Sequence, residues 1–189
     1  MAKNNFSSKE YWEARYSKGG NSGQGSYNHS ATLKADYINS IIDKYSIKTI
    51  NDLGHGDGNQ ISLLKGDFQY YGYDVSSSAR QRCIDKFKDD RRYTFLDSVD
   101  TMIKRDLVMS LDVIYHLTEW EVYETHIDNL FKLGKYILIY GMNKEWMGDS
   151  HVIARPFNEL IERKYDSHTL IEIIDGTHSD VKFFLYTKM

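Results

Sequence analysis

Apolar residues recur along this chain at two kinds of spacing, and the spacing predicts which segments are helices and which are strands. Where apolar side chains return every three or four residues, one face of a helix can pack on a core. This pattern predicts helices over residues 7–16, 31–45, 76–87 and 119–133. Short β-rich or continuously apolar runs predict strands over residues 47–53, 70–75, 93–96, 106–113 and 136–142.

The order of these segments predicts the fold class. Strands that alternate with helices form a parallel sheet through right-handed crossovers, with helices on both faces. The alternation ends at two β-rich runs, 169–174 and 181–186, because the residues between them are too few for a helix. That pair predicts a hairpin. We therefore expect an α/β fold with a Rossmann-like, doubly wound, seven-stranded sheet, mostly parallel with an antiparallel C-terminal hairpin strand.

The length of 189 residues suits one domain, at roughly 100–200 residues per domain. A glycine- and serine-rich stretch, 19–26, separates an N-terminal helical segment from the rest of the chain. We expect a single domain over 1–189, with N-terminal helices and a glycine-rich lid over 1–45. The Rossmann-like core is expected over 46–189.

The net charge and the cysteine count exclude some classes of function for this protein. Lys and Arg number 24 against 27 Asp and Glu, a formal net charge of −3, which argues against a nucleic-acid binder that relies on a basic surface. The single cysteine, Cys83, excludes an internal disulfide framework and a CxxC metal site. The histidines follow no metal-ligand spacing, so we expect no metal.

The chain also carries no readable targeting or membrane segment. Residues 1–5 lead into polar sequence without an apolar stretch, so no signal peptide is expected. The longest apolar run, 136–142, is too short to cross a bilayer. We expect a cytoplasmic protein without a membrane partner, acting as a monomer or homodimer.

The most informative motif is a glycine-rich turn that follows the first predicted strand. It reads Asp52-Leu53-Gly54-His55-Gly56-Asp57-Gly58, and the second strand ends at Asp74, which lies 22 residues after Asp52. Glycines let the chain turn sharply and let backbone approach a ligand closely. An acid at the end of the next strand is placed to accept ribose hydroxyls. The motif predicts a nucleoside-type cofactor, with a purely structural turn as the alternative.

The spacing acid-x-Gly-x-Gly-x-Gly resembles the first motif of class I S-adenosylmethionine-dependent methyltransferases. The N-terminal segments Tyr11-Trp12-Glu13-x-Arg15-Tyr16 and Ser22-Gly23-x-Gly25-Ser26 are similar to those of a small bacterial- or viral-type subgroup. The segment 73–76 matches the acidic loop after the second strand of that family, and 96–98 falls where its adenine-side acid lies. The segment 110–117 matches the family's segment around the end of the fourth strand. The resemblance covers nearly the whole chain.

The resemblance implies S-adenosylmethionine as cofactor and S-adenosylhomocysteine as product. It implies that the backbone at Gly54 and Gly56 approaches the methionine part, whose ammonium Asp52 assists. It further implies that Asp74 accepts the ribose hydroxyls and that Val75 packs on the adenine face.

Further cofactor contacts follow from the same resemblance. Asp97, with Ser98 beside it, is expected to accept a hydrogen bond from the exocyclic amine of adenine. Ser110 is expected to line the sulfonium side. Arg15 is expected to bind the cofactor carboxylate, because a guanidinium fork suits a carboxylate.

The aromatic residues of the first helix and the glycine-rich stretch have two interpretations each. Tyr11 and Trp12 either bind the cofactor as part of a lid or, with Tyr16, pack in the core. The stretch 19–26, which includes Ser26, is either a lid over the cofactor or a linker.

The candidates for chemistry lie after the fourth and fifth strands. His116 can act as a general base, because imidazole titrates near neutrality, or it can be a structural residue at a helix start. Asp112 is expected to line the sulfonium side rather than to abstract a proton. His151 and Arg155 belong either to the wall that binds the methyl acceptor or to a solvated loop.

The resemblance implies a methyltransferase. Because members of the resembled subgroup are associated with surface glycans, it further implies O-methylation of a hydroxyl of a sugar or glycan precursor, a small-molecule acceptor. A different small metabolite or an RNA cap are the alternative acceptors. A non-catalytic nucleoside-binding module is the alternative function class. A chain of this length leaves no room for the second lobe of a dehydrogenase.

Overall fold

The structure is a computed structural model, and it describes residues 6–188. The segment 1–5, on which the expectation about a signal peptide rests, lies outside the described residues. In the part that is described, no helix is both long and apolar enough to cross a membrane.

The predicted helices are confirmed, and side chains cap two of them. Ser7 accepts a hydrogen bond from Glu10 N at the start of the first helix, and Ser76 accepts one from Ala79 N at the start of the third. Each bond pairs an amide that has no partner inside its helix. The helices are α1 (Ser8–Ser17), α2 (Asn28–Lys44), α3 (Ser77–Lys86), α4 (Trp120–Leu133) and α5 (Phe157–Lys164).

The sheet confirms the predicted fold class. Its seven strands are β1 (Thr49–Leu53), β2 (Gln69–Tyr73), β3 (Tyr93–Leu96), β4 (Arg105–Leu111), β5 (Gly134–Met142), β8 (His168–Asp175) and β9 (Val181–Lys188). Their spatial order is β3-β2-β1-β4-β5-β9-β8. The first five are parallel, and β9 lies antiparallel between β5 and β8. The C-terminal hairpin thus supplies the antiparallel strand.

Helices cover both faces of the sheet, which explains why β4 and β5 have apolar residues at consecutive positions. In β4, Leu107 and Met109 pack against the side covered by α2, while Val108 packs against the side covered by α4 and α5. The strand order reverses between β1 and β4. At such a point the loops after the two strands diverge and leave a crevice beyond the carboxyl ends of the strands.

Three elements between β5 and β8 were not predicted. Strands β6 (Trp146–Met147) and β7 (Ile153–Ala154) form a small antiparallel ribbon, and α5 follows it. The sequence pattern predicted no helix or strand between residues 142 and 169. In α5 only Phe157 and Ile161 are buried, so its apolar periodicity is too short to stand out from a loop.

Candidate active site

A cavity of about 520 Å³ opens at the carboxyl ends of β1 and β4, where the strand order reverses. Its walls come from the glycine turn after β1, the end of β2, the end of β4, α4, and α1 with the loop that follows it. The predicted site residues that line this cavity are Trp12, Ser26, Asp52, Gly54, Gly56, Asp74, Val75, Asp112 and His116. The structure therefore brings together the cofactor motif and the candidates for chemistry.

The glycine turn has a backbone that other residues would not adopt easily. Gly54 and Gly56 have φ angles of 97° and 59°. A Cβ at Gly54 would collide with Val113, and a Cβ at Gly56 would collide with Ser22 Oγ. The turn thus needs glycine both for its conformation and for the close approach of the loops around it.

Asp74 ties the glycine turn to the end of β2. Its Oδ2 accepts a hydrogen bond of 2.9 Å from Gly56 N, and its Oδ1 accepts one of 2.9 Å from Ser76 N. The residue is 7% exposed and lines the cavity. An ionised carboxylate has about four lone-pair sites, so both oxygens retain capacity for ligand hydroxyls. The next residue, Val75, offers an apolar surface that is 36% exposed.

Asp52 lines the cavity and is almost fully buried. Its Oδ2 accepts a hydrogen bond of 2.7 Å from Tyr70 OH, while its Oδ1 has no partner among the described residues. Burial raises the pKa of this carboxyl to about 7, although the Tyr70 hydrogen bond acts in the opposite direction. An unpaired buried acceptor is costly, and a cationic ligand group would relieve that cost.

The N-terminal helix α1 is fixed over the cavity by a carboxylate. Glu13 accepts hydrogen bonds from the side chains of Ser76, Ser77 and Ser78 and from Ser78 N, at the start of α3. These bonds lower the pKa of Glu13 to about 2. Glu13 therefore caps α3 from α1 and holds Trp12 at the cavity wall.

The loop after α1 lies against the glycine turn. Asp57 accepts a 2.8 Å hydrogen bond from Ser22 N and another of 2.8 Å from Tyr27 OH. In return, Ser22 Oγ accepts a 3.0 Å bond from Asp57 N. Arg82 of α3 also donates to the carbonyl oxygen of Gly20. The loop thus covers one side of the cavity.

A buried ion pair sits at the end of β4. Lys34 of α2 has no exposed surface, and its Nζ lies 2.5 Å from Asp112 Oδ2. Tyr115 OH donates a 2.6 Å hydrogen bond to Asp112 Oδ1. Asp112 adopts a positive φ of 59°, a conformation that is uncommon for residues other than glycine. Both oxygens of Asp112 thus have partners, which fix the orientation of this side chain at the cavity wall.

His116 lies in a short 3₁₀ turn (Ile114–His116) between β4 and α4. Its Nδ1 is 3.0 Å from the carbonyl oxygen of His151, so Nδ1 carries the proton and Nε2 is the free acceptor. Burial lowers the pKa of His116 to about 4, below the near-neutral titration that the sequence analysis expected. The ring is neutral at pH 7 and lines the cavity.

Three predicted cofactor residues lie away from the cavity wall. Asp97 is exposed to solvent, and Ser98 caps the short turn Val99–Thr101 by accepting a bond from Asp100 N. Ser110 is buried, and its Oγ is 2.8 Å from His126 Nε2.

Two predicted residues of α1 also lie away from the wall. The Tyr11 ring stacks on the His151 ring with 4.6 Å between centroids. Arg15 Nε donates a 2.6 Å hydrogen bond to the carbonyl oxygen of Asn21, and its guanidinium lies 5.6 Å from the Trp12 ring centre. Arg15 thus contacts the glycine-rich stretch 19–26, whereas Tyr11 contacts the turn between β6 and β7.

Arg155 faces a second cavity, of about 590 Å³, next to the β6–β7 ribbon. Its guanidinium donates to the carbonyl oxygens of Leu117 and Thr118, at 2.8 and 2.7 Å. It thereby fixes the segment that joins His116 to α4.

Some residues of the site were not predicted from the sequence. Lys34 shares the i, i+3, i+4 spacing of the buried residues Ala31, Ala35 and Ile38, and that register was the available signal for a buried lysine. Gln60 lines the cavity through a buried side chain whose Nε2 donates to Ala31 O. No pattern in the sequence distinguished Gln60. Within residues 6–188, no group of three or more His, Cys, Asp and Glu side chains is placed to hold a metal ion.

Comparisons with known proteins identify the fold class. No protein-family model and no curated protein sequence matches this chain. Among solved structures, the chain is similar in fold to several methyltransferases.

Three solved structures illustrate the likeness. Magnesium protoporphyrin IX methyltransferase (ChlM) from Synechocystis PCC 6803, with bound SAM, has a TM-score of 0.72 at 16% identity and covers 100% of each chain. The N-methyltransferase NodS from Bradyrhizobium japonicum WM9, in complex with S-adenosyl-L-homocysteine, has a TM-score of 0.71 at 14% identity, over 96% of this chain and 98% of NodS. The methyltransferase domain of bacterial CtHen1-C has a TM-score of 0.65 at 21% identity, over 83% of this chain and 97% of that one.

Proposed function

We propose that this chain is an S-adenosylmethionine-dependent methyltransferase. One observation carries the proposal: a single cavity is lined by the glycine turn, by Asp74 at the end of β2 and by Asp52. Asp52 Oδ1 has no partner among the described residues. The solved methyltransferases of the same fold, two of them holding SAM or its product, support this assignment.

The residues of the cavity fit this cofactor chemically. Asp52 Oδ1 would pair with the ammonium, Asp74 would accept the ribose hydroxyls, and Val75 would cover the adenine. The cofactor, when bound, supplies a methyl group on a sulfonium, which is already a good electrophile. The protein therefore has to align the acceptor and exclude water, and alignment alone can supply on the order of 7–11 kcal/mol.

For the acceptor, we propose a hydroxyl group, with a sugar or glycan precursor as the first choice. A hydroxyl must lose its proton as it attacks, and the free Nε2 of His116 at the cavity wall can accept that proton. The O–H bond would break as an N–H bond forms at Nε2, and the electron pair on oxygen would form the new bond to the methyl carbon. The bond between that carbon and the sulfur of the cofactor would break, with its electron pair left on the sulfur of the departing S-adenosylhomocysteine. Tyr115 does not compete for this role, because burial holds the pKa of its phenol well above the ordinary value.

The acceptor class is tested by incubating the protein with methyl-labelled S-adenosylmethionine and a panel of nucleotide sugars, small metabolites and capped RNA. We expect label in a nucleotide sugar or related hydroxyl compound. Label in RNA or in an amine instead would contradict the hydroxyl assignment. Binding of the cofactor without transfer to any acceptor would favour a nucleoside-binding module.

Replacing Asp74 by alanine is expected to weaken binding of S-adenosylhomocysteine by roughly 10- to 150-fold. The ribose hydroxyls would lose a charged acceptor, and such hydrogen bonds contribute about 1.5–3 kcal/mol. Isothermal titration calorimetry measures the change. Asp89→Ala, at an exposed acid beyond α3, is the matched control and should leave the affinity unchanged. Equal affinities for the two folded variants would contradict the role of Asp74.

The affinity of the native protein for S-adenosylhomocysteine is expected to rise as the pH increases from about 5.5 to about 7. The pKa of Asp52 is about 7, so below that pH the carboxyl must lose a proton before it can pair with an ammonium. Linkage then predicts a gain of up to about tenfold per pH unit. Calorimetry across this range should show the gain in the native protein and a flat profile in Asp52→Asn. A flat profile in the native protein would exclude the Asp52–ammonium pair.

A further inference from the structure

Three aromatic rings from three separate segments lie one above another beside the cavity. The Tyr11 ring, on α1, lies 4.6 Å from the His151 ring with 18° between the ring planes. The His151 ring, in the turn between β6 and β7, lies 5.5 Å from the His116 ring with only 3° between the planes. The stack therefore connects the N-terminal helix to the turn after β4.

His151 contacts His116 in two ways. Its ring covers one face of the His116 imidazole, and its backbone carbonyl accepts the Nδ1 proton of the same imidazole at 3.0 Å. The Trp12 ring approaches His116 edge-on, with 4.9 Å between centroids and 77° between the planes. These contacts leave Nε2 without a partner among the described residues, on a ring that lines the cavity.

We propose that Tyr11 and His151 are positioning residues that hold the His116 imidazole with its unprotonated Nε2 toward the acceptor. This inference rests on the proposed function, in which His116 takes the proton of a hydroxyl. Neither Tyr11 nor His151 lies on the cavity wall, so both act through His116. Tyr11, expected from the sequence to bind the cofactor, thus receives a different role.

The groups around the His116 imidazole determine which of its protonation states the stack favours. Burial is the largest influence and lowers its pKa to about 4. The backbone carbonyl of His151 and the carboxylate of Asp112, at the end of β4, favour the imidazolium. The ring of His151 and the guanidinium of Arg15, on α1, disfavour it through charge repulsion. Tyr115 also lies beside the ring, with 4.6 Å between centroids. Removing the Tyr11 or His151 ring would admit water and favour the charged form.

The test is a pH titration of nitrogen-15-labelled histidine by NMR, in the native protein and in Tyr11→Ala, Tyr11→Phe and His151→Ala. In the native protein and in Tyr11→Phe, which keeps the ring, we expect the His116 signal to remain that of the neutral Nδ1–H tautomer from about pH 5 to 8. In Tyr11→Ala and His151→Ala we expect His116 to titrate within this range. The signals of His29 and His178, whose residues are exposed, serve as internal controls.

Activity provides the second readout. Tyr11→Ala should lower kcat by about ten- to a hundredfold, as misplacement of a reacting group does, with an unchanged affinity for S-adenosylhomocysteine and with recovery in Tyr11→Phe. A His116 signal in Tyr11→Ala and His151→Ala that matches the native one would overturn the inference, whatever the activity. If the signal moves but the native protein methylates no acceptor, the positioning is supported and the proposed function fails.

Discussion

Replacing Lys34 by methionine is expected to lower the free energy of unfolding by about 3 kcal/mol. The substitution leaves the Asp112 carboxylate without its cation, and breaking a buried ion pair in this way costs about 3–5 kcal/mol. We expect the lower end of this energy range because Asp112 is partly exposed and keeps the hydrogen bond from Tyr115. Urea unfolding followed by circular dichroism measures the change.

Two further variants separate the ion pair from other effects of the substitution. Lys44→Met lies on the same helix, but its side chain is 58% exposed, so its stability should stay close to that of the native protein. The double variant Lys34→Met/Asp112→Asn removes the uncompensated charge and should recover part of the loss. If Lys34→Met were as stable as Lys44→Met, the ion pair would not be what joins α2 to the end of β4.

Replacing His116 by glutamine is expected to lower kcat by about 10²-fold while the affinity for S-adenosylhomocysteine stays the same. General-base catalysis contributes about 10²–10⁴-fold, and a base whose pKa lies well below the working pH falls at the lower end. Because the pKa of His116 is about 4, its protonation should not change the native rate between about pH 6 and 8. The loss should appear only as the pH falls toward 4. Steady-state kinetics with the labelled acceptor measures both effects.

Tyr115→Phe is the companion variant for this measurement. It removes the hydrogen bond to Asp112 Oδ1 but leaves the His116 imidazole in place, so its kcat should exceed that of His116→Gln. A His116→Gln enzyme with a rate within about threefold of the native rate would contradict the base role, since a lost base costs far more. Catalysis would then rest on alignment of the acceptor.

The sequence was sufficient to predict the sheet and to place the glycine turn and Asp74 together at the carboxyl ends of β1 and β2. Strand–helix alternation depends on local periodicity, and the glycine turn and Asp74 follow directly from the ends of β1 and β2. Both features are set by the backbone conformation of short segments, which the local sequence determines. The ribbon and α5 were missed because their apolar patterns extend over only a few residues.

Side-chain directions in α1 could not be predicted, because polar and apolar residues are mixed around this helix. Tyr11 and Arg15 consequently face away from the cavity, whereas their neighbour Trp12 lines it. Their directions depend on contacts with distant segments, such as the hydrogen bonds from Ser76 and Ser78 to Glu13.

The pairing of Lys34 with Asp112 could not be predicted for a related reason. It joins residues 78 positions apart through the tertiary fold. A lysine in an amphipathic helix usually points to solvent, so the residue type alone predicts that Lys34 is exposed.

The central claim, that this cavity binds S-adenosylmethionine, is tested most directly by isothermal titration calorimetry of the native protein with S-adenosylmethionine, S-adenosylhomocysteine and NAD. We expect S-adenosylmethionine and S-adenosylhomocysteine to bind at a single site and NAD not to bind. We also expect Asp74→Ala to weaken the binding of both sulfur compounds and Asp89→Ala to weaken the binding of neither. Absence of heat with either sulfur compound, or binding of NAD in their place, would contradict the account.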